Sequence, residues 1–272
     1  MDALRQVDDW PAEHVAVAVV DRTGTIATHG PGDYVFRFAS VTKLYTALAA
    51  LVALEEGVVD LDDAAGPPGS TLRHLLAHAS GLPLDEGPPI GRPGQRRIYS
   101  NVGFEVAAEH VARAAEMPFA EYARAAVFQP LGLGLELKGS PAGSDWALAG
   151  TTADVAALGR ELLAPTLVAP ETLAEATSVQ FPGLVGVLPG FGRQDPNDWG
   201  LGFELRDGKA PHWTGSRNSR RTFGHFGASG TFLWVDPEAE LALACLTDLD
   251  FDDWAAEAWP RLADAVLTEA RM

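Results

Sequence analysis

Cysteine, methionine and lysine are all scarce in this 272-residue chain: one Cys, three Met and three Lys (Lys43, Lys138, Lys209). A single cysteine excludes an intrachain disulfide and a cysteine-based metal site. Its setting in the apolar run LALACLTD predicts that Cys245 is a buried, inert thiol. No Gly-x-Ser-x-Gly occurs, which argues against a strand-to-helix nucleophile elbow, and no His-Glu-x-x-His, which argues against a zinc hydrolase. Basic residues are few, 20 Lys+Arg against 37 Asp+Glu, for a net charge of −17 and a pI near 4.7. A surface this acidic repels phosphate backbones and anionic lipid, so neither nucleic acid nor a membrane is expected as a partner. The longest apolar run, Leu44 to Leu54, is too short for a bilayer and contains Thr46. The opening MDALRQVDDWPAEH lacks the basic start and apolar stretch of a secretory leader. The expectation is a cytoplasmic protein, monomeric by default.

With 47% hydrophobic and 21% charged residues the chain is globular, long enough for one large domain or two intimately packed ones. Residues 2–10 suit a short helix; 14–20 and 25–28 read as strands around the turn DRTG. Helical periodicity follows from Ser40 to near Gly57, then at 71–79, 101–117, 118–128, 152–163 and 170–177, with 182–198 as loop. Strands are predicted in WGLGFEL (199–205), TFGHFG (222–227), TFLWVD (231–236) and LALACLTD (241–248), and a last amphipathic helix over 254–271. Asp250, Asp252 and Asp253 precede that helix, where carboxylates favour the dipole, so no metal is assigned to them. The pattern is α+β: an antiparallel sheet flanked by N- and C-terminal helices, with a helical insertion. Residues 1–58 and 185–272 are expected to form the sheet part and 59–184 the mostly helical part, with a site between them.

Three stretches carry chemistry. In FRFASVTKLYTALAALVALEE (36–56), Ser40 and Lys43 stand three residues apart, on one face at the mouth of a predicted helix. Unpaired N–H groups and the positive dipole end gather there, so a hydroxyl, an amine and an anion-stabilising backbone coincide. Taken alone, Ser40 is equally a helix cap. In Tyr99-Ser100-Asn101, a phenol precedes another helix; it acts as a base only where cations depress its pKa. In His225-Phe226-Gly227-Ala228, on a predicted strand near a sheet edge, Gly227 leaves room for a substrate to approach the backbone. His78, among Leu72, Leu75, Leu76 and Leu82, reads as a structural, hydrogen-bonded histidine.

Together the segments SVTK (40–43), YSN (99–101) and HFG (225–227) resemble the three signatures of the serine β-lactamase and penicillin-binding-protein superfamily, nearest its class C-like branch. That branch includes β-lactamases, D-Ala-D-Ala carboxypeptidases and esterases. TLRHLLAHASGL (71–82), TTADVAAL (151–158) and GASGTFLWVDPEAELALACLTD (227–248) look like the same family. The resemblance implies a metal-free, cofactor-free serine hydrolase. Ser40 would attack a carbonyl and carry the acyl group. Lys43 would deprotonate it or hold Tyr99 as phenolate, and Tyr99 would protonate the leaving group. Asn101 would orient Lys43 and a substrate amide. The backbone N–H groups of Ser40 and Ala228 would form the oxyanion hole. His225 and Phe226 depart from the Lys-Thr pair that often binds a substrate carboxylate, which shifts the expectation towards esters or small amides; the basic loop SRNSRR (216–221) offers Arg217, Arg220 and Arg221 as substitutes or is simply a solvated turn. The expected ligand is a small ester, amide or β-lactam. An acyltransferase, or a non-catalytic penicillin-binding or sensing module, stands as the alternative.

Overall fold

The computed structural model describes residues 1–143 and 147–271. A 3-10 helix at Asp2–Asp9 leads into β1 (Val15–Val20) and β2 (Thr25–His29), then a short β3 (Phe36–Arg37). A single 3-10 turn, Ala39–Val41, joins it to α1 (Thr42–Glu55). The helical section holds α2 (Leu72–Leu76), α3 (Asn101–Ala114) and α4 (Phe119–Ala123), which runs on as a π-helical turn at Arg124–Phe128. After β4 (Ala149–Gly150) come α5 (Thr152–Leu163) and α6 (Pro170–Ala176). The remainder is β5 (Gly186–Leu188), β6 (Gly192–Gln194), β7 (Glu204–Leu205), β8 (Phe223–Gly227), β9 (Thr231–Asp236), β10 (Leu241–Thr247) and α7 (Asp253–Glu269).

Six strands form one antiparallel sheet in the order β2-β1-β10-β9-β8-β7, so the two ends of the chain pair at its centre, Val15 opposite Thr247 through Val20 opposite Ala242. Alternation sends Ala16, Ala18 and Val20 into one core and Val15, Val17 and Val19 into another. Strand β10 divides likewise: Ala242, Ala244 and Leu246 against Leu241, Leu243 and Cys245. Both faces are therefore covered. Helix α5 lies on the first, close enough that a Cβ on Gly159 would meet Ala242, Leu233 and Val20 at 3.2–3.4 Å. Helix α7 covers the second through Ala255, Trp259, Leu262, Ala263 and Val266, the helical stripe that the sequence spacing predicts. Helix α1 is largely apolar and is buried on every side from Thr42 to Ala53, with Lys43 among the buried residues.

Local expectations need correcting in several places. The α-helix opens at Thr42 with Val41 as its cap, and Ser40 lies two residues before Thr42 in the 3-10 segment, so Ser40 is not its cap. The helix expected over 71–79 stops at Leu76, because His78 turns left-handed (φ 53°). The region 182–198 is not all loop; β5 and β6 make a small hairpin. Of WGLGFEL only Glu204 and Leu205 form regular strand, since Gly202 adopts φ 83° and its N–H turns away to Leu76 O. Cys245 is buried and free, as expected. Among the described residues, no helix is long and apolar enough to cross a membrane.

Candidate active site

The turn bearing Ser40 is held from two sides. Ala39 sits at φ 46°, a left-handed conformation that a non-glycine residue keeps only when its surroundings fix it. The hydroxyls of Ser229 and Thr231, on the hairpin after β8, donate to the carbonyls of Arg37 (2.7 Å) and Phe38 (2.9 Å). The N–H of Phe38 donates to Leu148 O at 3.0 Å. Strand β8 presses on the same turn: a Cβ at Gly227 would lie 2.6 Å from Phe38 O and 3.0 Å from Ala39 Cβ. The space a side chain at Gly227 would need is thus filled by the Ser40 turn itself, which corrects the reading that the glycine clears room for substrate.

Around Ser40 the three motif segments converge. Tyr99 donates its hydroxyl proton to Ser40 Oγ at 2.8 Å. Lys43 Nζ lies 3.2 Å from Ser40 Oγ, 2.7 Å from Asn101 Oδ1 and 2.6 Å from Ala142 O. Asn101 Nδ2 donates to Asp85 Oδ1 at 3.1 Å. Ser40 itself stays partly exposed while Lys43 is fully buried. Burial pulls the Lys43 ammonium down to about 7, against weaker upward pulls from Glu105 and Asp85. Desolvation pushes the Tyr99 phenol well above its ordinary value, outweighing the hydrogen bond to Ser40. The cation depressing Tyr99, envisaged from sequence, is therefore not the dominant influence; Lys43 Nζ stands 4.9 Å over the Tyr99 ring.

Lys43 Nζ donates to Asn101 Oδ1 and Ala142 O, oxygens with no proton to give, and its third neighbour is the Ser40 hydroxyl, which accepts from the ammonium or donates to the free amine. His78 packs beneath Tyr99 with ring centroids 4.6 Å apart, and its Nδ1 accepts from the Ser100 N–H at 3.1 Å, the structural role expected of it.

His225 stands 5.6 Å from the Tyr99 ring, centroid to centroid, and 5.5 Å from Trp199. Its Nδ1 bonds the Phe226 carbonyl (2.7 Å), and burial followed by the Lys43 charge drops its pKa to about 3, leaving it neutral. β7 pairs only with Phe223 and Gly224, so the His225–Gly227 edge is left open beside Ser40. Among the described residues, the Ala228 N–H next to it donates to no protein acceptor, while its carbonyl accepts from Phe251 N–H at 2.8 Å. Arg220 is paired with Asp207, and none of Arg217, Arg220 and Arg221 borders the space around Ser40. Of the acidic trio, Asp252 caps α7 and Asp250 pairs with Arg37. Sequence reasoning missed Asp85, the Ala142 carbonyl and the Ser229 and Thr231 hydroxyls. Only the last two had a visible signal, two hydroxyls closely following the HFG segment.

The crystal structure of a β-lactamase (Mb2281c) from Mycobacterium bovis superposes with a TM-score of 0.97 at 54% identity, covering 99% of this chain and 100% of that one. Penicillin-binding protein 4* of Bacillus subtilis is 28% identical over 131 residues, which is 36% of this chain and 29% of that protein. The D-alanyl-D-alanine-carboxypeptidase/endopeptidase AmpH of Escherichia coli is 28% identical over 138 residues, 37% of this chain and 36% of that protein. The matched stretch thus spans about a third of these curated relatives. The β-lactamase family model matches residues 12–267, and the chain belongs to that family.

Proposed function

We propose that this protein is a serine hydrolase that cleaves an ester or amide through an acyl-enzyme on Ser40. The observation that carries the reading is the double contact on Ser40 Oγ, from the buried Lys43 amine and from the Tyr99 phenol. Lys43, whose pKa of about 7 leaves a large share of it as the free amine at pH 7, takes the hydroxyl proton as Oγ attacks the carbonyl carbon. The oxyanion forms between the backbone N–H groups of Ser40 and Ala228; losing one such donor typically costs about 10²–10³ in rate. As the tetrahedral species collapses, Tyr99, kept protonated by desolvation, gives its proton to the leaving atom. The proton taken up by Lys43 returns to the Tyr99 phenolate, so both groups are restored in the acyl-enzyme. Water then attacks the acyl-enzyme and releases the acid. Asn101 holds the Lys43 amine in place.

The 54%-identical M. bovis protein is described as a β-lactamase, and the two curated relatives as a penicillin-binding protein and a carboxypeptidase, which supports acyl transfer to a serine as the reaction type. The test is turnover of p-nitrophenyl butyrate by the wild-type protein and by Ser40→Ala. The expected result is a loss of at least about a thousandfold in the variant; comparable turnover by both contradicts the assignment.

A further inference from the structure

Ser40 and Asn101 border two spaces of nearly equal size. One, of about 270 Å³, is walled chiefly by Tyr99, Leu84, Leu188, Trp199, Phe226 and Phe251. The other, of about 260 Å³, is polar and includes Arg37, Asp250, Ala142 and Ser229. Tyr99 borders the first and not the second. Because Tyr99 is the proton donor to the departing atom in the reading above, on which this inference rests, the apolar cavity is the leaving-group side.

Among the described residues, no positive charge is free there. Lys43 spends its contacts on Ser40, Asn101 and Ala142. Lys209, behind the wall, gives its three protons to Glu204, Asp198 O and Leu205 O. Arg97 is buried, and its guanidinium is directed at the carbonyls of Asn197, Ala77, Gln180 and Phe181. Arg37 lies across Ser40 in the polar groove, already paired with Asp250. The His225 ring at the wall is neutral, whereas Glu204, which also lines the cavity, is ionised. A carboxylate entering this cavity would lose its water and meet no free cation, since the Glu204 carboxylate already holds Lys209. An apolar group would instead be buried against aromatic and aliphatic side chains. Leu84, 47% exposed, carries the apolar wall out to the mouth.

We propose that the leaving-group half of the substrate is uncharged and apolar, as in an ester of a hydrophobic alcohol, and that the site discriminates against leaving groups bearing a carboxylate. Penicillins and peptides ending in a free alanine carry a carboxylate on that half and are disfavoured accordingly.

The test uses two aryl acetates with the same acyl group, methyl 3-acetoxybenzoate and 3-acetoxybenzoate, assayed with the full-length wild-type chain, Leu84→Arg and Ser40→Ala. The expected result is a kcat/KM about a hundredfold or more higher for the neutral ester. Leu84→Arg, which sets a cation at the mouth, is expected to shrink that ratio by raising turnover of the charged ester. A wild-type ratio near one, or a preference for the carboxylate, with both activities lost in Ser40→Ala, overturns this proposal and leaves the acyl-enzyme reading standing. Turnover of both esters by Ser40→Ala overturns that reading, and this proposal with it.

Discussion

In the proposed reaction the chemistry turns on one buried amine. Lys43 has a folded-state pKa of about 7 against an ordinary 10.5, with burial as the leading cause. Its base form is lost as pH falls through 7, so kcat/KM is expected to rise from pH 6 to 8 with an apparent pKa near 7, belonging to the Lys43–Tyr99 pair jointly. A profile flat across that range would remove Lys43 from the role. Tyr99→Phe deletes the phenol that donates to Ser40. It should lower kcat/KM by about 10²–10⁴ for an alkyl ester, whose leaving group needs a proton. The loss should be smaller for p-nitrophenyl esters, whose leaving group does not, and equal losses on both would contradict the proton-donor role. At this scale much of the site is legible in the sequence, because Ser40 and Lys43 are near neighbours and Tyr99 and Asn101 share one segment. The Ala142 carbonyl and Asp85 are not legible: a backbone oxygen has no sequence signature, and an exposed loop carboxylate looks like any other.

Between elements, the decisive contact is β8 against the Ser40 turn. Gly227 leaves no room for a Cβ there, and the hydroxyl of Thr231 fixes the Phe38 carbonyl at 2.9 Å. Thr231→Val keeps the shape and removes the donor. The variant is expected to lose about 1 kcal/mol of stability, measured by urea unfolding, together with a fall in kcat as the Ala39–Ser40 backbone loosens. Unchanged stability and kcat together would show that the hydroxyl does not hold the turn. The long apolar stretches, α1, β9 and β10, are plain in the sequence because periodicity and burial agree in them. Strand β7 is not. WGLGFEL has strand composition, but the left-handed Gly202 sends the chain off to Leu76, leaving two residues to pair with β8. That shortening opens the edge at His225–Gly227, so the sequence reading fails at the place where the cavity lies.

Over the whole molecule, the ends of the chain meet in one sheet whose two faces are buried under α5 and α7. The two-faced pattern, apolar at every position of β1 and at every position of β10 except Thr247, is readable in advance. A buried ionic cluster behind the cavity is not. Glu204 holds Lys209, His212 (2.8 Å) and Trp213 (2.9 Å), residues scattered through an irregular loop. Burial alone would raise the Glu204 carboxyl, but the charges of His212 and Lys209 and their hydrogen bonds bring it down to about 2. A carboxyl depressed from 4.5 contributes stability that is fully present above that value and is lost as pH falls towards 2. Glu204→Gln strands the Lys209 charge in the interior and is expected to cost about 3–5 kcal/mol at pH 7. Its penalty should shrink on acidification towards pH 2; a penalty unchanged with pH would mean the carboxylate charge is not what the cluster uses.

Every role proposed for Lys43, Tyr99 and Asn101 depends on Ser40 Oγ being the atom that is acylated. The most direct measurement is the intact mass of the full chain after treatment with a neutral alkyl fluorophosphonate, for the wild-type protein and for Ser40→Ala, followed by peptide mapping. The expected result is one phosphonyl adduct per wild-type chain, on the peptide containing Ser40, and none on the variant. An adduct that persists in Ser40→Ala, or a wild-type chain that stays unlabelled and does not hydrolyse the neutral ester, would contradict it.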